Sequence, residues 1–333
     1  MRDSRPMKAE HAMQLSFRKM AIVQGLTLFL TVMASAWWQR GLPDQAPRGW
    51  RVASLDLVPV QLDPSGFGGL RLVGAWAVRS TDPRFGGVSA LAIVKGRFVA
   101  LTDGGSVAEF GKPTSRPQVM TIGELPAVPG RPRFKANRDS ESLAWDPAGD
   151  RWLVGFENSN EVWAYDKEFR HGEALASFGR KRWPRNRGIE AMVHGPSGLL
   201  LLPENGDRVV ELRGHAAREK AIANPPGRIS DAARLPSGNL LVVNRKLTLL
   251  GILNSVAVLE QANGGYRYGH RTRLALGPLD NIEAVAVEQP RSGPTRLWLM
   301  TDDGNQRPFR TLLVALDLPL KRRLPRQPSS IGA

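Results

Sequence analysis

The chain has 333 residues, 42% of them hydrophobic, enough to bury one large all-β core or two ordinary ones. It contains no cysteine, which excludes disulfides, thiolate metal sites and a cysteine nucleophile. With 46 Lys+Arg against 31 Asp+Glu the formal net charge is +15, a field that attracts anionic partners unless many of the arginines only solvate the surface.

At the start of the chain, Arg18-Lys19 precedes the uncharged run AIVQGLTLFLTVMASAWWQ over residues 21–39, and Ala34-Ser35-Ala36 has the small-x-small form of a cleavage site. Residues 1–40 therefore read as a signal peptide cut after Ala36, or as an anchor retained in the bilayer, since about 20 apolar residues span its core. Either way the rest of the chain is expected to be periplasmic or secreted, where nucleic acid is disfavoured as a partner; a monomer is expected.

Residues 41–69 form a Pro-containing linker and a lead-in strand, RVASLDLVPVQL, and residues 70–78, LRLVGAWAV, read as a second strand. Five similar units follow. Each opens with a polar residue and a short apolar strand, passes a Gly-containing or Pro-containing connection and continues into a second strand: GGVSALAIVKGRFVALTDGG, DSESLAWDPAGDRWLVGF, RGIEAMVHGPSGLLLLPENG, ISDAARLPSGNLLVVNRKL and DNIEAVAVEQPRSGPTRLWLMTDDG. Registered on Ser89, Glu141, Glu190, Asp231 and Glu283, the steps are 52, 49, 41 and 52 residues. A period of 40 to 50 residues with several strands per repeat is the signature of a β-propeller.

The expected fold is all-β, a propeller over residues 70–318, with the early strands and the closing strand FRTLLVALDL completing a sixth blade beyond the five read directly. Only GHAAREKAIA, residues 214–223, reads as a short helix after the N-terminal segment. The basic, Pro/Ser-rich residues 319–333 are expected to be a disordered tail.

In a propeller the first strand of each blade lines the central channel. The repeats thus place Glu141, Glu190, Asp231 and Glu283 around one axis, with Ser89 in the fifth position. A second set closes the second strands: Asp103, Glu157, Glu204, Asn205, Asn244, Asp302 and Asp303. Carboxylates gathered on an axis repel one another and require a cation, protons or interleaved arginines. Hard oxygen donors without cysteine point to calcium, or magnesium, with Glu141, Glu190, Asp231 and Glu283 as ligands. The competing reading is that such residues only bond neighbouring backbone or pair with an arginine. Basic loops precede Glu141 and Glu190, and Asn244-Arg245-Lys246 ends a second strand, so Arg138, Arg187 and Arg245 are candidate clamps for a small anionic substrate. No GxSxG, HExxH, P-loop or GxGxxG opening a helix occurs; His11 precedes the export segment, His171 and His270 fall in polar loops, His194 ends a first strand and His215 begins the expected short helix, so none is singled out as a base.

TDPRFGGVSAL, DSESLAW, RGIEAM, PSGLLLLPE and DNIEAVA together resemble the phytase-like propeller family described as having esterase-like activity, over residues 70–318. The resemblance implies an ester or phosphoester hydrolase and marks Glu141, Glu190 and Glu283 as the residues matching the family's recurrent acidic positions. The leading expectation is a metal-assisted hydrolase of a small anionic ester. A non-catalytic propeller that binds a protein, glycan or lipid head group, and a calcium-dependent lactonase, are the alternatives.

Overall fold

The computed structural model describes residues 47–319, apart from 180–187, 196–197, 215, 250, 263, 278–279 and 304–309. Residues 1–40, with the expected signal or anchor, and 320–333 of the basic tail lie outside the described residues. Among the described residues no helix is long and apolar enough to cross a membrane.

Residues 47–319 form a β-propeller. Blade A contains β3 (Val88–Val94), β4 (Arg97–Thr102), β5 (Ser106–Phe110) and β6 (Val119–Glu124). Blade B contains β7 (Ser140–Asp146), β8 (Arg151–Phe156), β9 (Glu161–Asp166) and β10 (Gly172–Ser177). Blade C contains β11 (Ile189–Gly195), β12 (Gly198–Pro203), β13 (Arg208–Arg213) and β14 (Ala216–Ala223). Blade D contains β15 (Arg228–Arg234), β16 (Leu240–Thr248), β17 (Gly251–Ala262) and β18 (Gly265–Leu274). Blade E takes β19 (Asn281–Glu288), β20 (Arg296–Asp302) and β21 (Leu312–Asp317) from the end of the chain and β2 (Arg71–Ser80) from its beginning.

The described strands thus make five blades where the sequence predicts six. The first strands touch in the closed cycle β3, β7, β11, β15, β19 and back to β3, so the ring has no gap for another. The early strand assigned to a sixth blade instead completes the fifth, β2 pairing with β21 from Arg71↔Asp317 to Ala77↔Leu312. Strand β1 (Arg51–Pro59) lies between β2 and β6 and joins the outer edges of blades E and A.

Five apolar clusters fill the five spaces between neighbouring blades. Between B and C, for example, Ala144, Leu153 and Val162 meet Ile189, Met192 and Leu201. Each sheet is buried on both faces, which is why its second strands are continuous apolar runs such as LLLL rather than alternating ones. The predicted helix in residues 214–223 is a correction: β14 is the outer strand of blade C, paired with β13 from Arg208↔Ala221 to Arg213↔Ala216. Cross-strand pairs Lys220–Glu211 (2.7 Å) and Arg208–Glu219 (3.3 Å), and parallel pairing of Ile222 and Ala223 with β18 of blade D, override a moderate helix propensity.

The segment between β2 and β3 locks the N-terminal entry. Arg84 and Asp82 are buried and doubly bonded, Nε to Oδ1 at 3.0 Å and Nη2 to Oδ2 at 2.8 Å. The guanidinium also donates to the carbonyls of Gly49 (3.1 Å) and Ile122 (3.1 Å), tying the approach to β1 onto blade A.

Candidate functional site: an acidic mouth

Each first strand carries a β-bulge at its second or third residue, and the residues skipped by the pairing are Ser89, Glu141, Glu190, Ser230 and Glu283. A bulge turns one side chain out of the ladder, here five times around one axis. Two residues before each bulged position, the chain meets the end of the second strand. Asp103, Glu157 and Glu204 donate their backbone N–H to the carbonyls of Gly87, Asp139 and Gly188, while Arg245 pairs with Arg228 and Asp302 with Asn281. The side chains at these stacked levels enclose a cavity of about 330 Å³ lined by eight carboxylates, Asp103, Asp139, Glu141, Glu157, Glu190, Glu204, Glu283 and Asp302, and by Arg228 and Arg245. In a chain of net charge +15, this mouth has the opposite sign.

Two groups of three lie especially close. One oxygen from each of Asp139, Glu141 and Glu157 falls within 4.8 Å of the others, and the same holds for Glu157, Glu190 and Glu204. Glu157 belongs to both. Burial pushes the Glu141 carboxyl well above the usual range, reinforced by the charges of Glu190, Asp139, Glu157 and Asp103. Glu190 is raised by burial and by Glu157, Glu204 and Asp139, against the pull of Arg245. Glu157 is pushed up to about 7 by burial, Asp139 and Glu204, while the Gly188 N–H and Arg245 oppose the shift.

Cations border the cluster on two sides. On blade D, Arg228 Nη1 lies 2.9 Å and Arg245 Nη2 3.3 Å from Glu204 Oε1, and Arg245 Nη1 also contacts Glu283. Between A and B, a single helical turn, Lys135–Arg138, places Lys135 Nζ 2.8 Å from Asp103 and 3.1 Å from Asp139. Burial opposes protonation of this amine, but the two carboxylates outweigh it and raise its pKa.

Of the residues predicted from sequence, Glu141, Glu190, Glu283 and Arg245 meet at this cavity, with Ser89 in its wall. Asp231 does not line it. Its oxygens accept the backbone N–H of Ala232 and of Val285 on blade E, each at 2.7 Å, so it staples β15 to β19 and is spent as a ligand. The register is one residue off in blade D, where Ser230 occupies the bulged position and Asp231 corresponds to Ser142, which staples to Ile189 O at 3.1 Å. The residue before the bulge holds the signal: Val88, Ile189, Ile229 and Ile282 are all fully buried there, and alignment on them rather than on the acids selects Ser230. Arg138 is turned away, Nη1 donating to Gly104 O at 2.8 Å, and Arg187 lies outside the described residues. Ser89 Oγ donates to Ser140 O at 2.7 Å and is committed to the neighbouring blade. Lys135 escapes the sequence pattern because it precedes the repeat, and Asp139, though it opens the second unit, because the other units do not carry a carboxylate two residues before the registered position.

Replacing Asp231 by Ala should strand two buried N–H groups and cost about 2–4 kcal/mol of stability, read by urea denaturation, with Asp231→Asn losing less.

A five-bladed propeller with an all-oxygen, strongly acidic mouth at the starts of its first strands defines the class. The chain belongs to the phytase-like family described as "Esterase-like activity of phytase", which matches residues 83–305. Among solved structures, Myxococcus xanthus glutaminyl cyclase is similar at 15% identity, covering 74% of this chain and 96% of that one, with a TM-score of 0.48. A luciferin-regenerating enzyme is similar at 11% identity, covering 81% and 95%, with a TM-score of 0.45. Virginiamycin B lyase from Staphylococcus aureus is similar at 10% identity, covering 81% and 100%, with a TM-score of 0.42. No curated protein matches the sequence.

Proposed function

We propose that this protein is an exported hydrolase of a small anionic ester or phosphoester, assisted by a divalent cation held in the acidic mouth. The observation that carries the reading is the convergence of Asp139, Glu141, Glu157, Glu190 and Glu204 in two close groups that share Glu157. Burial and the charges of the set push up Glu141, Glu157 and Glu190, a repulsion that a hard cation relieves, and five oxygen-donor side chains fit calcium, with magnesium as the second candidate. When bound, such an ion supplies Lewis acidity toward an ester oxygen.

The chain's own groups divide the remaining work. Arg245 and Arg228 stand on the blade D wall and offer guanidinium donors to the anionic part of the substrate. Glu283 holds Arg245 in place. Glu141 and Glu190, pushed up by burial and like charge, are the candidate acid and base. Residues 21–39 fit export or anchoring, which fractionation of the producing cell tests directly.

Initial rates on p-nitrophenyl phosphate, p-nitrophenyl acetate and a neutral lactone, each with calcium and with excess chelator, test the proposal. Hydrolysis of an ester that falls to background in chelator, with kcat reduced about 100-fold or more in Glu190→Gln, is the expected result. A lactone preference would favour a lactonase. Absence of turnover on every substrate in both conditions would leave a binding propeller instead.

A further inference from the structure

Blade D departs from the other four at the mouth. Strands β16 and β17 have 9 and 12 residues, whereas the other second strands have six or seven and the other third strands five or six. The second strands of A, B and C end before Asp103, Glu157 and Glu204. Strand β16 instead runs three residues past Arg245, its counterpart, and stays paired with β17 from Arg245↔Asn254 to Thr248↔Gly251. At about 3.3 Å per residue, the hairpin runs roughly 10 Å past the level of Arg245.

The face that this arm presents follows from strand alternation. Leu241 and Val243 pack against blade E, and Arg245 on the same face reaches Glu283 of that blade. Asn254, opposite Arg245, bonds Asp280 O (2.7 Å) and Ile282 N (3.1 Å), again on blade E. Continuing upward, the next residue on that face is Leu247, opposite Ile252, and Leu249 follows at the tip. Leu247 is 81% and Leu249 105% exposed, the two most exposed large hydrophobic residues among those described. One wall therefore carries a guanidinium inside the acidic cavity and, directly above it, an unburied apolar strip.

We propose that this arm receives the apolar tail of an amphiphilic anionic ester whose head group enters the cavity beside Arg245. The ester part of the inference rests on the function proposed above. Continuity of Arg245 and Leu247 on one strand face selects a single molecule with an anionic head and an aliphatic chain. Covering two leucine side chains contributes about 1.5–3 kcal/mol each when complete, so partial cover already gives tenfold or more in affinity.

The full chain, loaded with calcium, is titrated calorimetrically with inorganic phosphate and with octyl phosphate below its micellar concentration. Octyl phosphate should bind at least about tenfold more tightly, and Leu247→Ser/Leu249→Ser should remove that preference while leaving the phosphate affinity and the melting temperature unchanged. Equal affinities in the parent, or a preference that survives the double substitution, overturn the proposal. So does a dimer in light scattering that the double substitution converts to monomer, because the strip would then be a self-association surface. Rates on p-nitrophenyl phosphate and octyl p-nitrophenyl phosphate separate the two readings: octyl preference in binding with no turnover removes only the hydrolase, and turnover without octyl preference removes only the arm.

Discussion

In excess chelator at pH 8, Glu157→Gln should melt higher than the parent protein, and calcium should no longer raise its melting temperature. Glu157 is the carboxylate common to both close groups, and burial with its neighbours pushes its pKa up to about 7 from an ordinary value of 4.5. A carboxyl raised in the folded state binds more protons there than in the unfolded chain. Its contribution is therefore most favourable at low pH and is lost as pH rises from about 4.5 through 7. Discounted for the solvent that still reaches this half-buried group, the cost of ionising it in the metal-free protein is roughly 2 kcal/mol. The glutamine removes that cost, so the gain should be present at pH 8 and absent at pH 4.

In the parent the same strain should be relieved by cation binding. A ligand at 100 times its dissociation constant stabilises by about 2.7 kcal/mol, or about 5–10 °C in a domain of this size. Calcium should thus raise the parent's melting temperature strongly at pH 8 and weakly at pH 5.5, where protons compete for the same oxygens. A parent that melts at the same temperature with calcium and with chelator at pH 8 would sink the cation site. A Glu157→Gln variant that keeps the calcium response would move the site elsewhere in the mouth.

The second large effect is purely structural. Asp82→Ala should lower stability by about 3–5 kcal/mol, because it leaves the Arg84 guanidinium buried without its carboxylate. Arg84 holds Asp82 well below the usual carboxylate range. Folded-state stability from this pair is therefore fully present above the ordinary aspartate value and lost as pH falls toward the depressed one, and the variant should show a shallower acid limb. Asp82→Ala/Arg84→Met should recover much of the loss, since no charge then remains buried. Thermal melts across pH check both points, and a single variant within about 2 °C of the parent would show that Arg84 finds another partner.

Most of the propeller is legible in the chain because every blade must bury both faces of its sheet, and that demand writes an apolar strand, a turn and another apolar strand at a regular interval. Strands β3, β4, β7, β8, β11 and β12 follow from this pattern directly. Residues 214–223 do not, because an outer strand turns most of its side chains to solvent, and its composition of Ala, Glu, Lys and Arg fits a helix as well as a strand. Blade number is hidden in the sequence for a different reason. A lone N-terminal strand looks like the start of a blade until the closed ring shows that it hydrogen-bonds the last one.

For the site, residue type and repeat position were sufficient to select Glu141, Glu190 and Glu283, since a carboxylate at the head of a buried strand is an unusual burden that repeats at only a few places. Local sequence could not separate Asp231 from Ser230. Adjacent residues on a strand point to opposite faces, and only the bulge decides which of them leaves the ladder. Nor could it bring Glu157, Glu204, Asp103 and Asp302 to the first set, or turn Arg138 away, because those placements depend on where second strands end against neighbouring blades. Composition and periodicity thus determined the kind of fold, the acidic repeat and an N-terminal apolar run. Closure of five blades around one axis decided which side chains share a cavity, because proximity across blades is set by packing between residues far apart in the chain.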